Sequence, residues 1–278
     1  MNTPLQQERG NSIMILKCNN SYIQQAVSYI GEGKLQCFYL YMDMIKYGAE
    51  RPEMGLWISE VKGEIRGVAY RYFDTIHLYS REVFPLQDAL ELINELLPKC
   101  VTGSQKTIDR IFGQTAKPYT YELSHIITAN RFMEEKPGLK IEQAALTDVP
   151  EIAALMMKDH IYYEVYTYEK LCTQLQDRIE TGFGRLFIIR NDLGRLVATN
   201  ATYAEVEDMA VIGGLITDPD LRGQGLGRAI TASTWNLVRT EGKRGLAFLA
   251  VNNEKTVIMH QKMGYEFLGQ YARLLKDE

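Results

Sequence analysis

Cysteine and histidine are both scarce in this chain, with four of each among 278 residues. Cys18, Cys37, Cys100 and Cys172 are scattered without a Cys-x-x-Cys pair, which is neither a zinc nor a disulfide pattern. His77, His125, His160 and His260 stand at no ligand spacing, so no metal is expected. No apolar run approaches the roughly 18 residues of a membrane span. The polar start MNTPLQQERGN has neither the charged leader nor the apolar run of a signal peptide. A soluble protein of a reducing, cytoplasmic compartment is expected, with no membrane partner. Neither charge sign dominates: the formal net charge is -4, with 15 basic against 16 acidic residues up to residue 138 and 16 against 19 beyond it. Nucleic-acid binding, which usually requires a basic excess, is not expected either.

What is present is a 46% hydrophobic fraction, ample for a packed core, in a chain longer than the usual single domain. Two domains are the default expectation. From residue 139 the pattern gives a short strand, Leu139 to Ala144, then a helix with Thr147 or Asp148 as N-cap and Ile152, Leu155 and Met156 at helical spacing. A second helix runs from about Tyr168 to Glu180. A three-stranded meander follows, with turns at 191–194 and 205–208. After a glycine-rich stretch come a helix from about Gly225 to Gly242, a buried strand GLAFLAV, a helix from Asn253 to Met263, and a final hairpin, YEFLGQYARLL. The first half follows the same plan more loosely: a hairpin turning at Lys62-Gly63, the strand TIHLY, and an amphipathic helix from Pro85 to Leu97. Either an internal duplication whose first copy has lost the ligand-binding turn or a coincidence between two α/β units accounts for this. The segment NRFMEEKPG, Asn130 to Gly138, has the composition of a linker.

The stretch TDPDLRGQGLGRAI holds three glycines at alternate positions, Gly223, Gly225 and Gly227, between Arg222 and the start of a helix. A strand ending at Thr217 and a helix starting at Gly225 would leave several amides unpaired at the helix N-terminus. Those donors, with the positive end of the helix dipole, form an anion site, and glycine removes the Cβ atoms that would block a phosphate or pyrophosphate. No Lys-Ser or Lys-Thr pair follows, so a nucleotide P-loop fails. The order G-x-G-x-G after a meander strand also supports a dinucleotide site poorly. The competing reading is a surface loop that uses glycine for turns alone. At the matching point of the first half, LYSREVFPLQDAL, there is no glycine.

Arg222-Gly223-Gln224-Gly225-Leu226-Gly227 resembles the Q/R-x-x-G-x-G/A signature of the GNAT superfamily, the acetyl-CoA-dependent N-acetyltransferases. LKIEQAALTDVPEIAALM is similar to that family's opening strand and helix, and LAVNNEKTVIMHQKMGYEFLG to its closing N-x-x-A-x-x-x-Y-x-K-x-G-F segment. The resemblance implies an α/β (α+β) protein with two GNAT-like domains, each a mixed, mostly antiparallel central sheet flanked by helices. Residues 1–136 would be a degenerate copy, and residues 137–278 the acetyl-CoA-binding catalytic domain.

In that picture the fourth and fifth strands of the second copy splay apart. Leu215, Ile216 and Thr217 would offer backbone hydrogen bonds to the pantetheine arm of acetyl-CoA. The amides of Gly223, Gln224, Gly225, Leu226, Gly227 and Arg228, with Arg222 beside them, would hold the pyrophosphate. Asn253 would reach the pantetheine from the far side. Gly213-Gly214 fits a bulge that opens the sheet, the alternative being two weak strand residues.

The family's proton-donating tyrosine aligns with His260, whose imidazole must first be protonated to act as the acid. The alternatives for His260 are a contact to the sulfur or no catalytic part. Thr256 and Thr217 replace the family's common alanine and valine. As general base, Glu205, Glu207, Asp208 and Glu164 are candidates, and none is assigned. Tyr162, Tyr163, Tyr166 and Tyr168 fall in the loop that covers the acceptor side, or pack as core.

The function expected is acetyl transfer from acetyl-CoA to the primary amine of a small molecule by direct attack. The amino-terminal copy would shape the acceptor cleft or a homodimer. A non-catalytic acyl-CoA-binding module, and transfer of longer acyl groups or to protein amines, remain as alternatives.

Overall fold

The computed structural model describes residues 14–115, 118–163 and 166–277. The described residues fall into two compact units, one up to residue 124 together with those from residue 269 on, the other between residues 125 and 268. Both follow one plan. The first copy runs β1 (Met14–Cys18), α1 (Ile23–Ile30), α2 (Phe38–Tyr47), β2 (Met54–Val61), β3 (Glu64–Tyr72), β4 (Thr75–Tyr79), α3 (Leu86–Leu96), β5 (Cys100–Ser104), α4 (Gln105–Ile111) and β6 (Tyr119–Thr128). The second runs β7 (Ile141–Gln143), α5 (Val149–Met156), α6 (His160–Tyr163), α7 (Tyr168–Glu180), β8 (Arg185–Arg190), β9 (Leu196–Glu205), β10 (Met209–Thr217), α8 (Leu226–Thr240), β11 (Arg244–Ala250), α9 (Glu254–Met263) and β12 (Glu266–Lys276). Apart from the short α6, the order of elements is the same in both.

The units do not divide at residue 136. In the first, the antiparallel ladders β1-β2-β3-β4 are joined by the parallel pair β4-β5, and the far side of β5 pairs antiparallel with Tyr271 to Leu275 of β12. The last strand of the second copy thus completes the sheet of the first unit. In the second unit β7, β8, β9 and β10 form antiparallel ladders, and β10 meets β11 in parallel. The closing segment is the single strand β12, not the expected hairpin. Gly269 has φ of 157°, close to extended backbone, so the chain does not turn back there.

Alternation along β8 shows how the second sheet is covered. Leu186 and Ile188 pack with α5 and α7 residues such as Ile152 and Leu175, whereas Phe187 and Ile189 pack with Leu226 and Ile230 of α8. The period of two sends neighbouring side chains to opposite faces. In the first unit, Leu92 and Ile93 of α3 lie in one cluster with Ile108, and Ile30, Leu40 and Met44 of α1 and α2 lie in another.

The segment expected to be a linker is docked. Met133 is buried. Its amide donates to Asn236 Oδ1 at 2.7 Å, and Asn236 Nδ2 donates back to Met133 O at 2.9 Å. No helix of the described residues is long and apolar enough to cross a membrane. The four cysteines are free.

Candidate functional site

The second unit is open at one place. β10 pairs with β11 from Met209 to Val211 only, although both strands run on to Thr217 and Ala250. On its other side β10 stays paired with β9 but shifts register between Gly213 and Ile216, a bulge that puts one extra residue on β10. Gly214 has φ of 68° there. A Cβ on Gly213 would lie 2.7 Å from the Tyr203 ring, and one on Gly214 2.7 Å from the Tyr203 hydroxyl. The two glycines therefore let Tyr203 lie across the bulge.

Beyond Thr217 the chain is pinned before it reaches the glycines. Asp218, 1% exposed, accepts Lys158 Nζ at 2.9 Å and also pairs with Arg195. These cations, the Lys158 hydrogen bond foremost, hold its carboxyl below the usual range. Asp218 also receives the amide of Asp220 at 3.2 Å, turning the chain into a short 3-10 segment. Sequence reasoning missed this anchor. Its only signal was an Asp-Pro pair that can start a turn.

Gly223 and Gly225 have φ of 83° and 80°, and Gly225 is the left-handed N-cap of α8 without a side-chain cap. The first helical bond runs from the Ala229 amide to Gly225 O at 3.0 Å. The amides of Leu226, Gly227 and Arg228 precede that ladder. A Cβ on Gly223 would meet nothing within 4 Å, and on Gly225 only Lys136 Nζ at 4.0 Å, so both face open space. Gly227 differs: its Cβ would face inward, 3.3 Å from Thr217 Oγ1. Lys136, from the docked segment, donates to Gln224 O at 3.0 Å, bringing a cation to the turn that the sequence did not suggest. Arg222 folds back, with its guanidinium 3.0 Å from Asp159 Oδ2.

Asn253 caps α9, its Oδ1 accepting the Thr256 amide at 3.3 Å. His260, one turn beyond Thr256, is 4% exposed. Its Nδ1 donates to Thr256 O at 2.8 Å, and its ring stands edge-on to Tyr265 with centroids 4.8 Å apart. Burial outweighs that hydrogen bond and lowers its pKa below the usual 6.5. The imidazole is neutral at pH 7, with Nε2 left as an acceptor.

Of the candidate bases, Glu205 is clamped. Burial alone would raise its pKa, but hydrogen bonds from Arg185, Lys243 and Thr202 prevail and hold it low. Arg185 Nε lies 2.7 Å from Oε1, and Lys243 Nζ 2.5 Å from Oε2. Both oxygens are engaged, so the group is poorly placed to take up a proton. Glu207 is exposed on the turn into β10, and Glu164 lies outside the described residues. Of the four tyrosines, Tyr162 joins Tyr203 through hydroxyls 3.0 Å apart and stacks on Tyr166 at 6.4 Å. Tyr163 is exposed, and Tyr168 donates to Pro150 O at 3.2 Å. Among the described residues no cluster of His, Cys, Asp and Glu is placed to hold a metal.

Among the described residues, the first unit has no counterpart to this turn. Its β4-β5 pairing covers Thr75 to His77, and the junction that follows buries Phe84, 1% exposed, whose amide donates to Thr107 Oγ1 at 3.2 Å. A Cβ on Gly67 would meet that ring at 2.6 Å. An aromatic plug stands where the second unit has open amides.

Comparison with known proteins agrees with this architecture. Residues 186–274 match the FR47-like protein family. No curated protein matches the chain. Among solved structures, the chain is similar to a GNAT-family acetyltransferase from Colwellia psychrerythraea, with 14% identity over 95% of this chain and 100% of that one and a TM-score of 0.59. It is also similar to a Drosophila protein, with 11% identity, 96% and 99% coverage and a TM-score of 0.65. A tandem GNAT protein from the clavulanic acid biosynthesis pathway matches at 12% identity, 95% and 98% coverage and a TM-score of 0.59. At such identities the likeness is one of fold. By its end-to-end match and its doubled plan, the chain has the fold of tandem GNAT proteins, and its second copy carries the FR47-like segment.

Proposed function

We propose that the protein transfers an acetyl group from acetyl-CoA to the primary amine of a small molecule. Residues 137–278 would be the catalytic half and residues 1–136 a degenerate copy. The observation that carries this reading is the opening of β10 from β11 beyond Val211, next to the uncapped, glycine-lined start of α8. The residues fit the donor: Cβ positions at Gly223 and Gly225 face open space, and the amides of Leu226, Gly227 and Arg228 sit at the positive end of a 15-residue helix. Leu215, Ile216 and Thr217 would pair with the pantetheine, and Asn253 would meet it from the α9 side.

Acetyl-CoA supplies the activated acetyl thioester. Tyr203, across the β10 bulge, and Tyr162 and Tyr166 beside it would form the wall that receives the amine. A neutral His260 cannot donate from Nε2, so the proton that the departing thiolate takes up would come from the attacking ammonium through water, and His260 would accept a hydrogen bond from the thiol once it has formed. The test is thiol release from acetyl-CoA by the full chain over a panel of amines, amino acids and aminoglycosides. Absence of both binding and release would refute the reading.

The buried, neutral His260 in place of a tyrosine favours one other reading, an acyl-CoA-binding regulatory module without turnover. His260→Tyr separates the two. Preserved or increased turnover supports the transferase, whereas acetyl-CoA binding with no thiol release in either form supports the module.

A further inference from the structure

The docked segment 131–136 does more than join the two copies. Together with Arg228 in the first turn of α8 and Lys262 and Met263 at the end of α9, residues Arg131 to Glu134 line a cleft of about 290 Å³. It carries three cations, Arg131, Arg228 and Lys262, against one carboxylate, Glu134. Glu134 pairs with Arg228 at 3.3 Å across an exposed rim, where ion pairs are weak and readily exchanged.

Arg131 is seated by geometry. Its Nη2 donates to Met263 O at 3.3 Å, and a Cβ on Gly264 would lie 1.8 Å from that nitrogen, so the glycine makes room for the guanidinium. Lys262 is exposed and has no ion-pair partner among the described residues. Phe132 lines the same cleft with 59% of its surface exposed, large for an aromatic ring, and Arg239 lies over it at 5.2 Å. Cations around an exposed aromatic ring are the chemistry that binds a phosphorylated purine nucleoside.

Arg228 belongs both to the turn assigned to the pyrophosphate and to this cleft. We propose that the cleft receives the 3′-phosphoadenosine end of the acyl donor, with Phe132 against the purine and Arg131 and Lys262 on the ribose 3′-phosphate. This rests on the glycine-turn reading above and extends it to the far end of the same molecule. Donor selection is then set jointly by Arg131 and Phe132 of the docked segment and by Lys262 of the closing segment.

The test is calorimetric titration of the full chain with acetyl-CoA and with acetyl-3′-dephospho-CoA at fixed salt. The expected preference for acetyl-CoA is about tenfold or more, the range for a charge-assisted hydrogen bond. Lys262→Gln should weaken acetyl-CoA and leave the dephospho donor unchanged, shrinking the preference. Phe132→Ala should weaken both by about fivefold or more. Equal affinity of the wild-type chain for the two donors overturns the cleft assignment while leaving the glycine turn standing. Loss of both donors alike in Lys262→Gln also overturns it, provided circular dichroism shows the variant folded. Binding of neither donor by the wild type overturns the turn and the cleft together.

Discussion

Replacing Gly225 by alanine separates the backbone demands of the glycine turn from its chemistry. Gly225 sits at φ 80°, where an L-residue costs about 1–2 kcal/mol, and its Cβ would meet only Lys136 Nζ at 4.0 Å. Since no packing clash adds to the backbone cost, Gly225→Ala should lower the melting temperature by roughly 2–8 °C and still fold. The methyl would project into the open space beside the turn, where the pyrophosphate is placed. Loss of one charge-assisted hydrogen bond costs about 1.5–3 kcal/mol, so acetyl-CoA should bind about ten- to a hundredfold more weakly. Gly227→Ala is the control, because its Cβ points inward, 3.3 Å from Thr217 Oγ1 and 3.8 Å from Leu215. There the gain in helix propensity, about 1 kcal/mol, offsets the tight contact, so stability should hardly change and affinity should fall less. Thermal melts by circular dichroism and calorimetric titration read the two effects separately. A Gly225→Ala protein that melts as expected and binds acetyl-CoA with unchanged Kd would refute the assignment of the pyrophosphate to this turn.

Three other outcomes are expected. His77 is buried and its pKa is lowered by that burial from 6.5 to about 4; because the folded value lies below the unfolded one, the unfolded chain binds more protons between them. Stability is therefore full above pH 6.5 and falls by about 3 kcal/mol as pH drops to 4, and urea melts of His77→Gln should lose that acid limb. Glu205→Gln should cost roughly 3 kcal/mol of stability by leaving Arg185 and Lys243 short of a buried carboxylate, with thiol release per folded molecule unchanged. A hundredfold rate loss at normal stability would instead make Glu205 the base. Asn253→Ala should cost about 1 kcal/mol as a lost N-cap; if Asn253 also meets the pantetheine, its Kd for acetyl-CoA rises as well, whereas a pure cap leaves Kd alone.

Much of the second copy was legible because local rules and tertiary structure agree there. The turn at 191–194, strand β8 and the helix after Gly225 all follow from period and turn chemistry. What was not legible depends on contacts distant in sequence. Asp218 gives no local sign that Lys158 and Arg195 will meet it, and the polar, Pro-Gly-containing segment 130–138 looks like a linker until Asn236 and Gln224 are seen to hold it. The hairpin expected in YEFLGQYARLL is replaced by a straight strand for the same reason: β5, far away in sequence, offers Tyr271 to Leu275 a partner. His260 was placed correctly on α9, yet only its burial shows that the imidazole is neutral.

The position of β12 bears on how the gene can be dissected. A cut at residue 136, the natural choice from the doubled sequence plan, would leave the amino-terminal fragment with β5 exposed along the edge that Tyr271 to Leu275 cover. The carboxy-terminal fragment would carry that strand with its partner gone. Unpaired edges of this kind template aggregation. The halves that look separable on paper should therefore precipitate when expressed alone, and co-expression of the two fragments should restore a soluble complex where neither suffices by itself.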